Sequence, residues 1–196
     1  SVGQKGEPVT IGVQPTRAET GYGYIELGQK EGKAYRIESF IEKPGKSKAA
    51  KLLREGGVLW NSGIFVFKPS KLLEFKEKKF SEIIRITGQI SKDFVPTEKI
   101  LKVDSERYQN CPKISIDHAV MENCKNSHVV PFGGDWSDVG SWPSVGKLLT
   151  KDSNDNFKKG DAHLLDSENC IVYAGSRLVA TVGTRDLSII ETKDAV

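Results

Sequence analysis

The run Gly63-Ile64-Phe65-Val66-Phe67 constrains the fold more than any other segment of this 196-residue chain. After its glycine it is apolar at every position, without the polar alternation of a strand wetted on one face. It therefore predicts a central strand covered on both faces. Two covered faces require layers on either side, and the flanking sequence offers helices to supply them. Ser47 predicts an N-cap for a helix carrying Ala50, Leu52 and Leu53, ended by Gly56-Gly57. Pro69-Ser70 opens a further helical stretch with Leu72, Leu73, Phe80, Ile83, Ile84 and Ile86. Ser115 predicts the cap of a helix in which Ile116, Ala119 and Val120 share a face. Strands are read at 9–13, closed by Gln14-Pro15, at Tyr22–Leu27 before a turn over Gly28–Gly32, and at Tyr35–Glu42 before Lys43-Pro44-Gly45. This alternation predicts a three-layer α/β domain with a mostly parallel sheet over residues 1–150.

The character of the chain changes after Lys151. Asp152 to Gly160 is polar and loop-like. Short β-rich runs follow at Cys170–Ala174, Leu178–Val182 and Leu187–Glu191, separated by Gly175-Ser176 and by Gly183-Thr184-Arg185-Asp186. Evenly spaced strands with no helix between them predict a small all-β segment over residues 151–196. Its core is marginal alone, so the strands should continue or pack on the first domain. The chain starts Ser1-Val2-Gly3 without an initiator Met and stops at Asp194-Ala195-Val196 in what reads as an unfinished strand. We read it as a piece of a longer protein.

Charge and composition exclude several function classes. The net charge of +3 arises from 29 basic and 26 acidic residues. No basic block is interleaved with aromatics, which argues against nucleic acid as a partner. No apolar run approaches the roughly 20 residues needed to span a bilayer, and no signal-like segment opens the chain, so no membrane partner is expected. Cys111, Cys124 and Cys170 are far apart and odd in number, which argues against a disulfide framework or structural zinc and for a reducing cytoplasm. His118, His128 and His163 fall at no metal-ligand spacing and read as surface or packing histidines.

Residues with chemical potential lie mainly at strand ends. In Gly134-Asp135-Trp136-Ser137-Asp138-Val139-Gly140-Ser141-Trp142, Asp138 stands between small residues with a glycine following. Such a carboxylate suits a hard divalent cation that carries phosphate oxygens. The alternative is a Trp-anchored loop in which Asp138 caps a helix starting at Trp142-Pro143; Asp135 reads as a turn residue. Gly21-Tyr22-Gly23 either lets a ligand lie against the backbone or forms a turn or bulge. Glu42 can accept hydrogen bonds from a sugar diol while Lys43 meets a phosphate, or the two form a surface ion pair. In Trp60-Asn61-Ser62-Gly63, Asn61 offers a donor and an acceptor to vicinal hydroxyls and Trp60 an apolar face to a sugar ring; the alternative is core packing with Asn61 in a turn.

The order of these segments is more specific than any one of them. Thr20-Gly21-Tyr22-Gly23-Tyr24-Ile25, Phe40-Ile41-Glu42-Lys43-Pro44, Trp60-Asn61-Ser62-Gly63-Ile64-Phe65, Ser115-Ile116-Asp117-His118-Ala119-Val120-Met121-Glu122 and Trp136-Ser137-Asp138-Val139-Gly140-Ser141-Trp142 together resemble the mannose-1-phosphate guanylyltransferase family of sugar-phosphate nucleotidyltransferases. The resemblance runs from about Val9 to the chain end. It implies a Rossmann-like nucleotidyltransferase domain, here its C-terminal, sugar-phosphate-binding part, followed by the start of a left-handed β-helix-like segment. It implies synthesis of GDP-mannose and pyrophosphate from mannose 1-phosphate and GTP, in the service of polysaccharide biosynthesis in the cytoplasm. By the same resemblance Asp138 is one carboxylate on Mg²⁺ and Lys43 neutralises the sugar phosphate. Gly21, Tyr22, Gly23, Glu42, Asn61 and Ser62 line the sugar. The β-rich segment mediates self-association, as a homodimer.

Some features depart from the family pattern. Arg17-Ala18 stand where a Pro is expected and His118 where Tyr is commoner, and neither is read as touching the chemistry. The Gly-rich nucleotide loop with its Arg and Lys, and an earlier metal-binding Asp, are absent from these residues, so the chain alone is expected to be inactive. A transferase for another sugar 1-phosphate or base, and a non-catalytic sugar-phosphate-binding module, are the competing readings.

Overall fold

The computed structural model describes residues 6–93, 103, 105–140, 142–146 and 148–196. Ser1-Val2-Gly3 and Ser141 therefore lie outside the described residues. The chain forms two compact units, Ser1–Gly134 and Asp135–Val196.

In the first unit β1 (Val9–Val13), β2 (Tyr24–Glu31) and β3 (Ala34–Ile41) lead into α1 (Lys46–Glu55) and β4 (Val58–Val66). The chain continues through α2 (Pro69–Leu72), α3 (Lys78–Ile90), a 3-10 turn at Ser91–Asp93 and α4 (Ser105–Gln109). It then runs through α5 (Ile116–Ala119), a 3-10 turn at Met121–Asn123 and β5 (His128–Phe132). The five strands close into a ring in the order β1-β4-β2-β3-β5.

The strand directions differ from the sequence expectation. β1 and β5 pair in parallel, while β1–β4, β2–β3, β2–β4 and β3–β5 are antiparallel. The reason is local: the tight Gly32-Lys33 connection can join β2 to β3 only as a hairpin, whereas the parallel β1–β5 pair has the long helical crossover that such pairing needs. Gly28 to Glu31 is likewise strand rather than turn, with the ladder irregular between Leu27 and Lys30.

β4 also departs from expectation. Val58 to Asn61 are buried, but Ile64 and Val66 are exposed, so the strand is covered over its first half and the run over residues 63–67, which reads as covered on both faces, is not. That half is paired on both edges, with β2 and with β1, whereas Phe65 and Val66 pair with β1. The core gathers Ile25, Ile37, Phe40, Leu59 and Val129 from the strands with Phe80 of α3 and Ala119, Val120 and Met121 after it.

Caps follow the sequence unevenly. Gly45, not Ser47, occupies the N-cap of α1, and it makes no side-chain cap bond. Gly56 ends that helix at φ 73°. Ser115 does cap α5, accepting a hydrogen bond from the His118 amide.

The second unit begins with α6 (Trp142–Gly146) and continues through β6 (Phe157–Lys159), β7 (Ala162–Leu165), β8 (Ile171–Ala174), β9 (Val179–Val182) and β10 (Ser188–Glu191). The segment read as loop up to Gly160 thus contributes β6. Strands β6, β8 and β10 stack in one parallel sheet and β7 and β9 in another, successive turns of the chain lying on each other. Corners fall at Asp155, Asp166, Asn169 and Asp186, all with positive φ, the residue types that tolerate that region best after glycine. Gly160 admits no substitute, because a Cβ there would lie 1.8 Å from the Ala174 carbonyl oxygen.

Polar side chains bridge the turns where backbone pairing stops. Buried Asn156 donates to the Ser167 carbonyl at 2.8 Å and accepts from the Cys170 amide at 2.9 Å. Buried Glu191 accepts from the hydroxyl and amide of Ser176 at 2.6 and 2.7 Å and from the Arg177 amide at 3.1 Å. The Ser176 bonds chiefly hold its carboxyl down to about 2. Because the folded-state value is depressed, the stabilisation is present above the unfolded value near 4.5 and is lost as pH falls towards 2. Glu191→Gln should therefore lower the melting temperature at neutral pH. The gap to the parent protein should close between pH 4.5 and 2, as followed by circular dichroism; a gap that stays constant through that window would show that the charge is irrelevant.

Candidate functional site

In the first unit the start of β2 and the end of β3 meet the middle of β4. Asn61 donates its backbone amide to the Gly23 carbonyl at 2.8 Å. A Cβ on Gly23 would lie 2.6 Å from a Glu42 carboxylate oxygen and 3.3 Å from the Asn61 Cβ. A side chain at this position would have to displace the Glu42 carboxylate, and these contacts place Gly23, Glu42 and Asn61 around one point.

Glu42 is 7% exposed at its side chain and Lys43 is 62% exposed, with Nζ 2.5 Å from Glu42 Oε1. The ion-pair alternative is met in part: the pair forms, with its acid side chain buried and its base facing outward. Lys43 sits at φ 44°, a left-handed backbone that a non-glycine residue adopts at a cost of about 1–2 kcal/mol. Strain of this kind persists where the surroundings over-determine it. Here Pro44 follows, and the Glu42 amide is held by the Glu122 carboxylate at 3.2 Å.

Asn61 is buried and largely committed inside the protein. Its Oδ1 accepts from the Thr10 hydroxyl and the Gly63 amide at 3.1 Å each, and Nδ2 donates to Asp117 at 3.0 Å. One amide hydrogen is left for a ligand, rather than a donor and acceptor pair. The Ser62 hydroxyl donates to the Ile11 carbonyl at 2.8 Å, bridging β4 to β1. Trp60 is 4% exposed and follows the core-packing alternative, edge-on to the Tyr22 ring with centroids 5.1 Å apart.

The segment ahead of Gly23 is tied back on itself. Arg17 pairs with Glu19 at 2.9 Å and lies 5.3 Å from the Trp60 ring centroid. Glu19 also accepts from the amides of Thr20 and Gly21 at 3.0 and 3.1 Å. The Gly21 bond, more than the Arg17 pair, pushes the Glu19 carboxyl below its usual value.

Sequence reasoning did not name Asp117, His118 or Glu122 as site residues. His118 Nδ1 lies 2.9 Å from Glu122 Oε2, and this contact raises the imidazole's affinity for a proton, with Glu42 and Asp117 adding to it. The i, i+4 spacing of His118 and Glu122 was a readable signal. The link from Asp117 to Asn61, 56 residues apart, was not. A cavity of about 510 Å³ in the same unit, lined by Glu7, Lys71, Glu74, Cys124 and Lys125 among others, shares no residue with this cluster.

Asp138 belongs to the second unit, where its carboxylate is exposed. α6 begins at Trp142, and Asp138 lies too far ahead of it to cap it. The carboxylate oxygens come within 3.4 Å of where a Gly140 Cβ would stand, and the glycine leaves that space open. Among the described residues no three His, Cys, Asp or Glu side chains gather as a metal cage. A single open carboxylate does fit a cation that keeps waters and takes its remaining oxygens from phosphate groups.

The chain belongs to the nucleotidyl transferase family, whose model matches residues 1–154, and residues 160–196 match a MannoseP isomerase/GMP-like beta-helix domain. The α/β domain with a β-helix-like segment after it is therefore as the sequence predicts. Alginate biosynthesis protein AlgA of Pseudomonas aeruginosa is 38% identical over 98% of this chain and 41% of its own length. A putative mannose-1-phosphate guanylyltransferase of Vibrio cholerae is 41% identical over 98% of this chain and 42% of its own length. A solved structure from Thermus thermophilus, described as a mannose-1-phosphate geranyltransferase, matches with a TM-score of 0.78 and 34% identity, covering 97% of this chain and 55% of that one. The chain thus spans less than half the length of these curated relatives. No described helix is long and apolar enough to cross a membrane.

Proposed function

We propose that the protein carrying this chain joins mannose 1-phosphate to GTP, forming GDP-mannose and releasing pyrophosphate. In this reading residues 1–150 supply the sugar-phosphate half of the active site and residues 151–196 begin a β-helix through which copies associate as dimers in the cytoplasm. The observation that carries it is the convergence of Gly23, Glu42, Lys43 and Asn61, in a chain whose relatives are named for this reaction.

The chemistry asks little covalent help of the protein. A phosphate oxygen of the sugar phosphate attacks the α-phosphorus of GTP, and the pyrophosphate leaves from the opposite side, so positioning and charge neutralisation dominate. Lys43 meets the sugar phosphate as a point charge, its ammonium exposed and its aim fixed by Glu42. Glu42 Oε2 and the remaining Asn61 N–H, beside the Gly23 backbone, read the hexose hydroxyls, with the Gly21-Tyr22 segment as the rim. Ser62 supports this site through β1. Asp138 would hold Mg²⁺, which would supply positive charge to the phosphate oxygens.

The test is pyrophosphate release by the full-length protein with GTP and either mannose or glucose 1-phosphate. Mannose 1-phosphate should be preferred, and Glu42→Gln should narrow that preference, because a buried acceptor that reads hydroxyl geometry discriminates more than it binds. Equal losses for both sugars would assign Glu42 to holding Lys43 alone. No pyrophosphate release with any sugar phosphate would favour the binding-module reading.

A further inference from the structure

Asp117 and His118 are neighbours on the four-residue helix α5, and each reaches one side of the site. Asp117 accepts from Asn61 Nδ2 at 3.0 Å. His118 contacts Glu122 Oε2 at 2.9 Å, and the other Glu122 oxygen accepts the Glu42 amide at 3.2 Å. Glu42 immediately precedes Lys43, the residue held at φ 44°. One short segment therefore fixes both the amide that faces the hexose and the backbone that aims the cation at the phosphate.

We infer that His118 is a positioning residue whose proton tunes sugar-phosphate binding, acting through Glu122 on the strained Glu42-Lys43 backbone. The inference rests on the function proposed above. When His118 carries its second proton, the imidazolium and Glu122 form an ion pair, and Glu122 is steadied where it accepts the Glu42 amide. When the proton leaves, Nδ1–H can still donate to Glu122 but without charge, and the grip loosens. The groups facing His118 are Glu122 on the following turn, Asp117 on its own helix and Glu42 at the end of β3, all acidic, with Lys43 paired to Glu42. They favour the protonated ring, which is 50% exposed and so in free exchange with solvent. Affinity for the sugar phosphate should thus be highest with His118 charged and decline as pH rises through its titration, which lies above the ordinary histidine value.

The test compares the full-length protein with His118→Asn, whose amide N–H stands about where Nδ1–H does and cannot gain a charge, and with Glu122→Gln. Mannose 1-phosphate binding is measured by calorimetry from pH 5.5 to 8.5, and the His118 ring is followed by NMR. The ligand's own phosphate titrates near 6, so the signal is the difference between proteins rather than either profile alone. We expect the parent protein to lose about two- to fivefold more affinity than His118→Asn across the range, the scale of one half-exposed charge pair. The His118 titration should move down in Glu122→Gln, and steady-state kinetics should show the effect in KM with kcat little changed. Superimposable pH profiles for parent and His118→Asn would overturn the inference. Failure of the parent protein to bind mannose 1-phosphate at any pH would instead overturn the proposed function.

Discussion

Replacing Asp138 with Asn in the full-length protein should lower turnover at least about a hundredfold, the scale of removing one preorganised electrostatic group, with little change in melting temperature. Asn keeps the size and hydrogen-bonding capacity of the carboxylate and removes the charge that would hold the cation. The side chain is exposed and lies outside the cap position of α6, so the fold has little stake in its charge. Had Asp138 been a helix cap, Asn would serve almost equally well, since the two rank together there. Turnover is read by pyrophosphate release at saturating Mg²⁺ and GTP, and stability by calorimetry. Near-normal turnover would remove Asp138 from the metal site and the proposed mechanism with it.

The second large effect belongs to Lys43. Lys43→Met keeps most of the stem and the same left-handed backbone, so the comparison isolates the ammonium. We expect mannose 1-phosphate binding to weaken by about 1.5–3 kcal/mol, as for loss of one hydrogen bond to a charged partner. Part of that loss reports on Glu42, whose side chain is 7% exposed and loses the cation beside it. Glu42→Gln in the Lys43→Met background separates the two: recovery of affinity would trace the damage to the stranded acid, and no recovery to the missing phosphate contact. Unchanged affinity in Lys43→Met alone would leave Lys43 as no more than the counter-ion of Glu42.

Local features of the fold were legible in the sequence because they are decided within a few residues. Ser115 reads as a cap and is one, and Gly56 ends α1 as its position predicts. The segments that carry the family resemblance also hold most of the candidate site. What spacing could not give is pairing across the chain. The direction of the β1–β4 ladder, the commitment of Asn61 to Thr10 and Asp117, and the use of the Ser62 hydroxyl on Ile11 depend on partners some fifty residues away. Gly63 to Phe67 misleads for a related reason: an apolar run reports what a strand can tolerate on its faces, and Ile64 and Val66 remain exposed here. Phe157-Lys158-Lys159 shows the converse. Its polar surroundings read as loop, yet it becomes β6 because β8 offers it a parallel edge.

The stacked turns of the second unit restrict how its length can vary. Phe157 sits against Ile171, and Ile171 in turn against Ser188, so each strand finds its partner one full circuit later. An insertion of a few residues inside a strand would throw every later inward-facing side chain off its neighbour, whereas one complete circuit could be added or removed and leave the contacts above and below it matched. Length in this unit is therefore quantised, and changes of less than a circuit can be absorbed only at the corners.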